Sequence, residues 1–465
     1  MKIKKICYIS LLMMGLSIGN LFAITHDELA YKMMTNNPSL QNSKKDIELA
    51  ALDLKDAKAA YYPQIDFLST ATYMANPYID KIVIYTEDYI DGQTGTSGTL
   101  SSLSSLGLDG PITVYDGMEN TYYDFGITIT QPIYTWGKIN TSVDLYNKVI
   151  DIKTIKSNSL YKQLLCELET REAAIYYLKQ MKANLLEQAE IANELINMVN
   201  DAYDNHMVIE QDVLEAKIQA KQIDIGLKEI EKEENTQLSQ ITKLTNIKNI
   251  TSDDIEYVVN EDIINSLLLK PKESLIAQSL NSKRDTIQML TLLNSVQEDQ
   301  VKIAKESIYY KPDLALQIST NYSGYRFPFV ETGYYTSDEA YANFTIAITT
   351  TLWDGGKKLN DIARKTINEE KSLEDLTNAR NEITQKLSEN LYNIELTTSK
   401  IEYEELNSQI IQSKIINLNQ EYEQGFGDKA SILKEELKLK ASEIEIYKEL
   451  IERAQSYYTI MYLIS

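Results

Sequence analysis

Side chains that ordinarily carry enzymatic chemistry are sparse in this 465-residue chain. Its two histidines, His26 and His206, stand too far apart in sequence to suggest a His-rich zinc site, although a carboxylate site stays open. Of the two cysteines, Cys7 lies in an N-terminal stretch that reads as removable, and Cys166 is left alone in a helical pattern, so no internal disulfide is available. Neither a Walker loop, a G-x-S-x-G elbow nor an H-E-x-x-H helix is present. Carboxylate is abundant instead: 68 acidic residues against 46 basic ones give a formal charge of -22. Without a nucleophile, a base or a metal cluster, the chemistry on offer is electrostatic attraction and charge-assisted hydrogen bonding. The sequence therefore assigns no catalytic residue, cofactor or metal ligand, and the expected class is not an enzyme. So acidic a chain also lacks the basic footprint of a nucleic-acid binder.

The elements that hold these groups fall into a pattern. Lys2, Lys4 and Lys5, an apolar run over residues 6–18 and a small residue at Ala23 form a bacterial secretory signal, with cleavage expected near residue 23. Losing three lysines and no acids takes the charge from -22 to -25. The remainder repeats itself. Gly137 and Lys138 align with Gly356 and Lys357 at a shift of 219, and AYDNHMVIEQDVLEAK from Ala202 aligns with EYEQGFGDKASILKEE from Glu421 at the same shift. Upstream, AKAAYYPQIDF pairs with AKESIYYKPDL at a shift of 249, so the first copy carries an insertion, placed in residues 77–120. There DGQTGTSGTLSSLSSLGLDGP reads as a loop by composition. The expected organisation is a signal at 1–23, a first repeat at 24–245, an inter-repeat segment at 246–272 and a second repeat at 273–465.

Each repeat runs helix, strand, loop, strand, long helix, break, helix, a mixed α and β fold. Strands are expected at 64–74 and 122–134, then at 313–325 and 342–352. Ile65 and Phe67 alternate with Asp66 and Leu68, Phe125 and Ile127 with Gly126 and Thr128, and Phe344 and Ile346 with Thr345 and Ala347. A period of two with one apolar side means a sheet between a greasy medium and a wet one. The lengths suit tilted strands crossing a bilayer, and aromatics gather at their ends, Tyr134, Trp136 and Trp353 among them, as an aromatic belt. Four strands cannot close a barrel and lipid does not tolerate an open edge, so several chains must share one barrel. Pro132, which cannot donate to a ladder, and Gly137 mark the strand-to-helix turn, with Gly355 and Gly356 in the second copy; Thr351 replaces the proline there and leaves that turn less sharply specified.

The helices carry coiled-coil seams. One runs through Leu178, Met181, Leu185, Ala192 and Leu195 and is interrupted by Gln188; another runs through Leu433, Leu437, Ile444, Tyr447 and Ile451 and is interrupted by Lys440.

This order resembles the TolC family of outer-membrane efflux proteins over essentially the whole chain after the signal. It is carried by NNPSLQ (36–41), AYYPQI, QPIYTWGK with its partner LWDGGKK, and the hairpin tips at 203–214 and 422–433. The resemblance implies a homotrimer whose twelve strands close one transmembrane β-barrel continuous with a periplasmic α-helical barrel. The function implied is an exit duct for tripartite efflux or type I secretion. Its implied partners are a periplasmic adaptor (membrane fusion) protein, an inner-membrane RND or ABC transporter and outer-membrane lipid, and its implied place is the outer membrane with the periplasm beneath. The family tip, Y-x-x-G followed by D-V-L, carries over a periplasmic gate on Tyr203, Tyr422 and Asp212, with Tyr422 to Asp212 as the foremost contact and Glu210 and Asp428 as a possible acidic entrance. The residues depart from the pattern at His206 in place of glycine, at Ser431 and Lys434 in place of aspartates, and at Gly427 in place of a basic residue. The gate is therefore expected to be held less firmly and to bind cationic blockers less tightly. A stand-alone outer-membrane porin and an exported coiled-coil structural or adhesin protein are the alternatives. The porin sits badly with so few strands, and the rod leaves the paired hairpins unexplained.

Overall fold

The computed structural model describes residues 24–75, 82–84, 112–115, 119–281, 284–336 and 338–465; the expected signal at 1–23 and the Gly/Ser/Thr-rich run at 91–111 lie outside the described residues. The helices are α1 (His26–Asn36), α2 (Pro38–Ala59), α3 (Lys138–Asp204), α4 (Glu210–Thr245), α5 (Glu261–Leu268), α6 (Lys272–Ser279), α7 (Asp285–Glu306), α8 (Lys357–Glu423) and α9 (Lys429–Ile464). The strands are β1 (Ile24–Thr25), β2 (Gln64–Tyr73), β3 (Ile82–Ile84), β4 (Ile112–Tyr115), β5 (Thr121–Tyr134), β6 (Ile255–Glu256), β7 (Asp313–Gly324) and β8 (Glu339–Thr349). α3 and α8 are each 67 residues long, α4 and α9 each 36, and in both pairs the second helix begins and ends 219 positions after the first. Among the described residues, no helix is long and apolar enough to cross a membrane. The chain divides into two compact units, one of residues up to 51, 148–296 and 369–465, the other of residues 52–147 and 297–368.

The second unit holds an antiparallel sheet in the order β2-β5-β7-β8. Its register makes four separate alternations into one. Ile65, Ile129, Ile318 and Phe344 lie in a row across the sheet, and Phe67, Ile127, Thr320 and Ala342 form the next row on that face. The opposite face carries Asp66, Thr128, Ser319 and Asn343 in one row and Gln64, Thr130, Gln317 and Thr345 in another. A slip of one residue in any strand would carry its apolar set to the wet side, so the patterning itself selects the register. β5 breaks the ladder between Pro132 and Tyr134, where the register to β7 shifts by one residue. A bulge there is what proline's missing N–H calls for. The outer strands β2 and β8 each pair on one side only among the described residues.

Within the insertion at 77–120, the run read as a loop lies outside the described residues, and strands flank it. Two short β-branched runs, Ile82–Ile84 and Ile112–Tyr115, pair as an antiparallel ribbon. Their Ile, Val and Thr content outweighs the composition of the stretch between them.

In the first unit the two seams meet. Leu178, Met181, Leu185 and Ala192 of α3 pack with Ile223 and Ile230 of α4 and with Leu437, Ile444, Tyr447 and Ile451 of α9. The seam interruptions meet as well: the buried Gln188 amide donates to the buried Asn184 at 2.9 Å, and Asn184 donates to Glu443 at 2.5 Å. Lys440 binds both Glu443 at 3.0 Å and Glu187 at 2.7 Å. Polar positions in two coiled-coil seams that satisfy one another fix the register between the helices. The inter-repeat segment is also packed here. Val259, Ile264 and Leu267, with Leu275 of α6, share a cluster with Ala173 and Tyr177 of α3, Leu387 and Ile394 of α8 and Ile460 of α9. The NNPSLQ motif ties α1 to the end of α4, because the Asn37 amide donates to the Leu244 carbonyl at 3.0 Å while its oxygen caps Ser39 N–H at 2.9 Å.

Candidate functional site: the helical tips and the strand-to-helix turns

The two helical hairpins turn by the same device. In the first, His206 N–H bonds the Tyr203 carbonyl at 2.9 Å and Met207 N–H bonds the Ala202 carbonyl at 2.8 Å; in the second, Gly425 bonds Tyr422 at 3.0 Å and Phe426 bonds Glu421 at 2.9 Å. This pair of bonds is a Schellman cap, which needs a left-handed residue just past the helix. Gly425 supplies it at φ 83°, and His206 adopts φ 61° in the matching place. The glycine missing from the first tip is thus missed in its backbone conformation, which histidine reproduces at a cost.

The next helix starts by a cap that the two tips divide between them. Asp212, at the third position of α4, reaches back so that its carboxylate accepts the Ile209 N–H at 3.1 Å. In the second tip the carboxylate has moved to the cap itself. Asp428 accepts the Ser431 N–H at 2.7 Å and the Ser431 hydroxyl at 2.7 Å. A complete capping box uses both arms at once, and each tip keeps one of them. The Ser431 hydroxyl is the main cause that holds the Asp428 carboxyl below its ordinary range.

The expected gate residues are therefore near the tips, but one chain does not join them. Tyr203 and Tyr422 end α3 and α8 with their rings exposed, Asp212 is occupied by its own helix, and no hydrogen bond links Tyr422 to Asp212 within the chain. Glu210 opens α4 and Asp428 caps α9, both exposed. At the place of Glu210 the second tip has Lys429, which pairs with Glu194 of α3. Gly427 is required sterically: a Cβ there would come within 2.9 Å of the Tyr422 backbone nitrogen. The basic side chain expected from the resemblance has no room.

The strand-to-helix turns also share a frame and differ in how it is held. Trp136 and Gly137 take φ 56° and 86°, and Gly355 and Gly356 take 71° and 85°. A tryptophan in that region is a true outlier. Its indole N–H donates to the Pro312 carbonyl at 2.8 Å and its ring stands edge-on to Tyr134 with centroids 5.2 Å apart, which offsets the strain. In the second copy the turn is not loosely specified, contrary to the expectation drawn from Thr351. Asp354 accepts from the N–H groups of Gly356 at 3.0 Å, Lys357 at 2.9 Å and Lys358 at 3.0 Å, and also from the Tyr309 hydroxyl. Trp353, beside it, is exposed, as is Tyr134.

Two buried polar sites were missed by sequence reasoning. His26 donates to Glu172, 2.7 Å away on α3 and fully buried, and faces Glu169 at 3.9 Å. That hydrogen bond, against burial, holds the His26 imidazole above its ordinary value, whereas burial pushes the Glu172 carboxyl up in spite of His26. Elsewhere Glu261 of α5 binds both the Tyr177 hydroxyl and Arg453 of α9. The partners lie 146, 84 and 192 positions apart, with no local signal to join them. Among the described residues, no group of His, Cys, Asp and Glu has an arrangement that could hold a metal ion.

Residues 29–246 match the family model described as outer membrane efflux protein. No curated protein matches the sequence. Among solved structures, a membrane protein from Pseudomonas aeruginosa superimposes with a TM-score of 0.70 at 11% identity, covering 95% of this chain and 93% of its own. The outer membrane protein VceC from Vibrio cholerae gives 0.68 at 14% identity, covering 94% of each chain. The CmeC outer membrane channel from Campylobacter jejuni gives 0.70 at 12% identity, covering 94% of this chain and 85% of its own. With the apolar-faced sheet and the paired helical hairpins already in place, residues 29–246 match the outer membrane efflux protein family, and the chain as a whole has the fold of these outer-membrane channels.

Proposed function

We propose that three copies of this chain close one twelve-stranded barrel and form the exit duct of a tripartite efflux or type I secretion system. Substrates would pass from an inner-membrane RND or ABC transporter, through a periplasmic adaptor, to the outside. The duct works as a conduit, with the tips as its gate and no covalent step. The observation that carries this reading is the four-stranded sheet with one apolar face and two edges unpaired among the described residues. In hydrocarbon each unpaired backbone group costs several kcal/mol, so β2 of one copy must pair with β8 of another. A second observation agrees. α8 carries Tyr392, Leu396, Tyr403, Leu406 and Ile410, and α4 carries Leu214, Ile218 and Ile225, all exposed in the single chain and all at heptad-like spacing. Such stripes ask for helices of another copy.

The test is disulfide capture between the edges. Within one chain β2 and β8 are separated by two strands, about 14 Å at the usual strand spacing, which is too far for a disulfide. Paired cysteines scanned along one face of β2 and β8, for instance Thr70→Cys with Asn343→Cys and neighbours in register, should give covalent trimers in outer-membrane fractions. A panel that yields only uncrosslinked monomers, or a closed pore formed by one chain in native mass spectrometry, would sink the shared barrel.

A further inference from the structure

The loop joining β7 to β8 is at the end of the sheet away from the helices, and it is built to hold apolar side chains outward. Its base is fixed by polar contacts. Arg326 pairs with Glu119 at 2.8 Å and donates to the Thr332 carbonyl at 2.8 Å, and the Thr121 hydroxyl donates to the Tyr325 carbonyl at 2.8 Å. Its turn is closed by Phe327 N–H to Glu331 at 3.0 Å and Glu331 N–H to the Phe327 carbonyl at 3.1 Å. At the apex Phe329 sits at φ 62°, a conformation that an aromatic residue adopts at a cost. The outcome of this order is exposure: Phe329 is 87% exposed, Val330 76% and Tyr335 74%. Hydrogen bonds and backbone strain are both committed to keeping an apolar cluster out of the protein. Such a patch needs a partner.

The loop's position identifies which. Phe327 packs edge-on against Tyr123 and Phe125 with centroids 5.2 and 6.1 Å apart. By alternation Tyr123 and Phe125 share their face of β5 with Ile127 and Ile129, the face that carries the apolar row Ile65, Ile129, Ile318 and Phe344. Through Phe327 the loop is therefore joined to the apolar side of the sheet, and Phe329, Val330 and Tyr335 are its exposed apolar residues beyond the strand ends. Aromatic rings favour the zone where headgroups meet acyl chains. We infer that the 325–336 loop is a lipid anchor that lies in the outer-leaflet interface, with Phe329, Val330 and Tyr335 immersed and Arg326 with Glu119 as its hinge on the sheet. The occupant is membrane lipid, and the inference rests on the barrel reading above.

A nitroxide scan tests it. In the assembled protein with Cys166→Ala, a single spin label is placed through Val330→Cys, Tyr335→Cys or, as a mid-sheet control on the apolar face, Phe344→Cys, and the protein is reconstituted in phosphatidylcholine vesicles. Power saturation then compares collision with oxygen, which concentrates in lipid, and with a neutral nickel chelate, which stays in water. The expected result is oxygen in excess of nickel at 330 and 335, as at 344. Nickel in excess at 330 and 335 with oxygen in excess at 344 overturns the anchor and leaves the barrel standing. Exclusion of both reagents at 330 and 335 assigns the patch to another copy and likewise overturns it. Nickel in excess at 344 removes the barrel reading itself and the anchor with it.

Discussion

Replacing His206 by glycine should tighten the first helical tip. The residue closes the Schellman cap at φ 61°, and its counterpart Gly425 does the same work at φ 83° without a Cβ. A side chain in the left-handed region costs roughly 1–2 kcal/mol. Glycine returns about 0.5–1 kcal/mol of that through the extra freedom of its unfolded state. The net gain for His206→Gly is about 0.5–1 kcal/mol, or two- to fivefold in the local opening equilibrium at about 1.4 kcal/mol per tenfold. Amide hydrogen exchange of the assembled protein reads this directly at position 206 and at Met207, whose N–H groups close the cap at 2.9 and 2.8 Å. Exchange there should slow by that factor while the 425–427 tip is unchanged, and Gly425→His should speed exchange at the second tip by a similar factor. If His206→Gly leaves the first tip unchanged or loosens it, histidine is not paying a conformational penalty and the comparison of the tips is wrong.

Other outcomes follow from the same contacts. In planar bilayers, Tyr422→Phe and Asp212→Asn should each enlarge single-channel openings and weaken block by divalent cations from the helical side; unchanged conductance and block in both would take the gate away from these residues. Asn184→Ala removes the link between Gln188 and Glu443 and should destabilise the α3–α9 contact by about 1–3 kcal/mol, seen as a lowered unfolding midpoint in denaturant; an unchanged midpoint would show that the polar layer contributes no stability. For His26 the pH sign is fixed by its raised pKa: the stabilisation is complete below the unfolded value of 6.5 and is lost as pH rises through the higher folded value. Glu172, also raised, acts in the same direction, since its buried carboxyl ionises at a cost as pH rises above its ordinary 4.5. Exchange at β1 and β6, corrected for intrinsic rates, should therefore accelerate as pH rises above 6.5. His26→Gln should flatten that profile, and a profile of the same slope in the variant would assign the pH dependence to other groups.

Much of the fold was written in local periodicity. The two-residue alternation of β2, β5, β7 and β8 and the seams of α3 and α9 each arise within one element, so they can be read without knowing any neighbour. Gln188 and Lys440 were also visible as interruptions, but their meeting through Asn184 and Glu443 depends on two helices arriving side by side. At the second strand-to-helix turn, Thr351 in place of proline is a misleading local signal. The signal was Asp354 just ahead of two glycines, a side chain well suited to capping the helix that follows. At the tips, Asp212 was legible as a gate residue, and its geometry in one chain is a helix cap. His26 with Glu172 and Glu261 with Arg453 were beyond reach, because pairing across more than a hundred residues leaves no spacing to recognise.

The division of one capping box between two hairpins also limits symmetry. Every chain contributes one tip with a carboxylate at the third helical position and one with it at the cap, beside Lys429. A ring assembled from such chains shows two kinds of tip in equal number, so its rotational order equals the number of chains and never twice that number. A docking partner built from identical arms meets equivalent ground only at every second tip. It must bind in matching number, or in double number with two distinct modes of attachment.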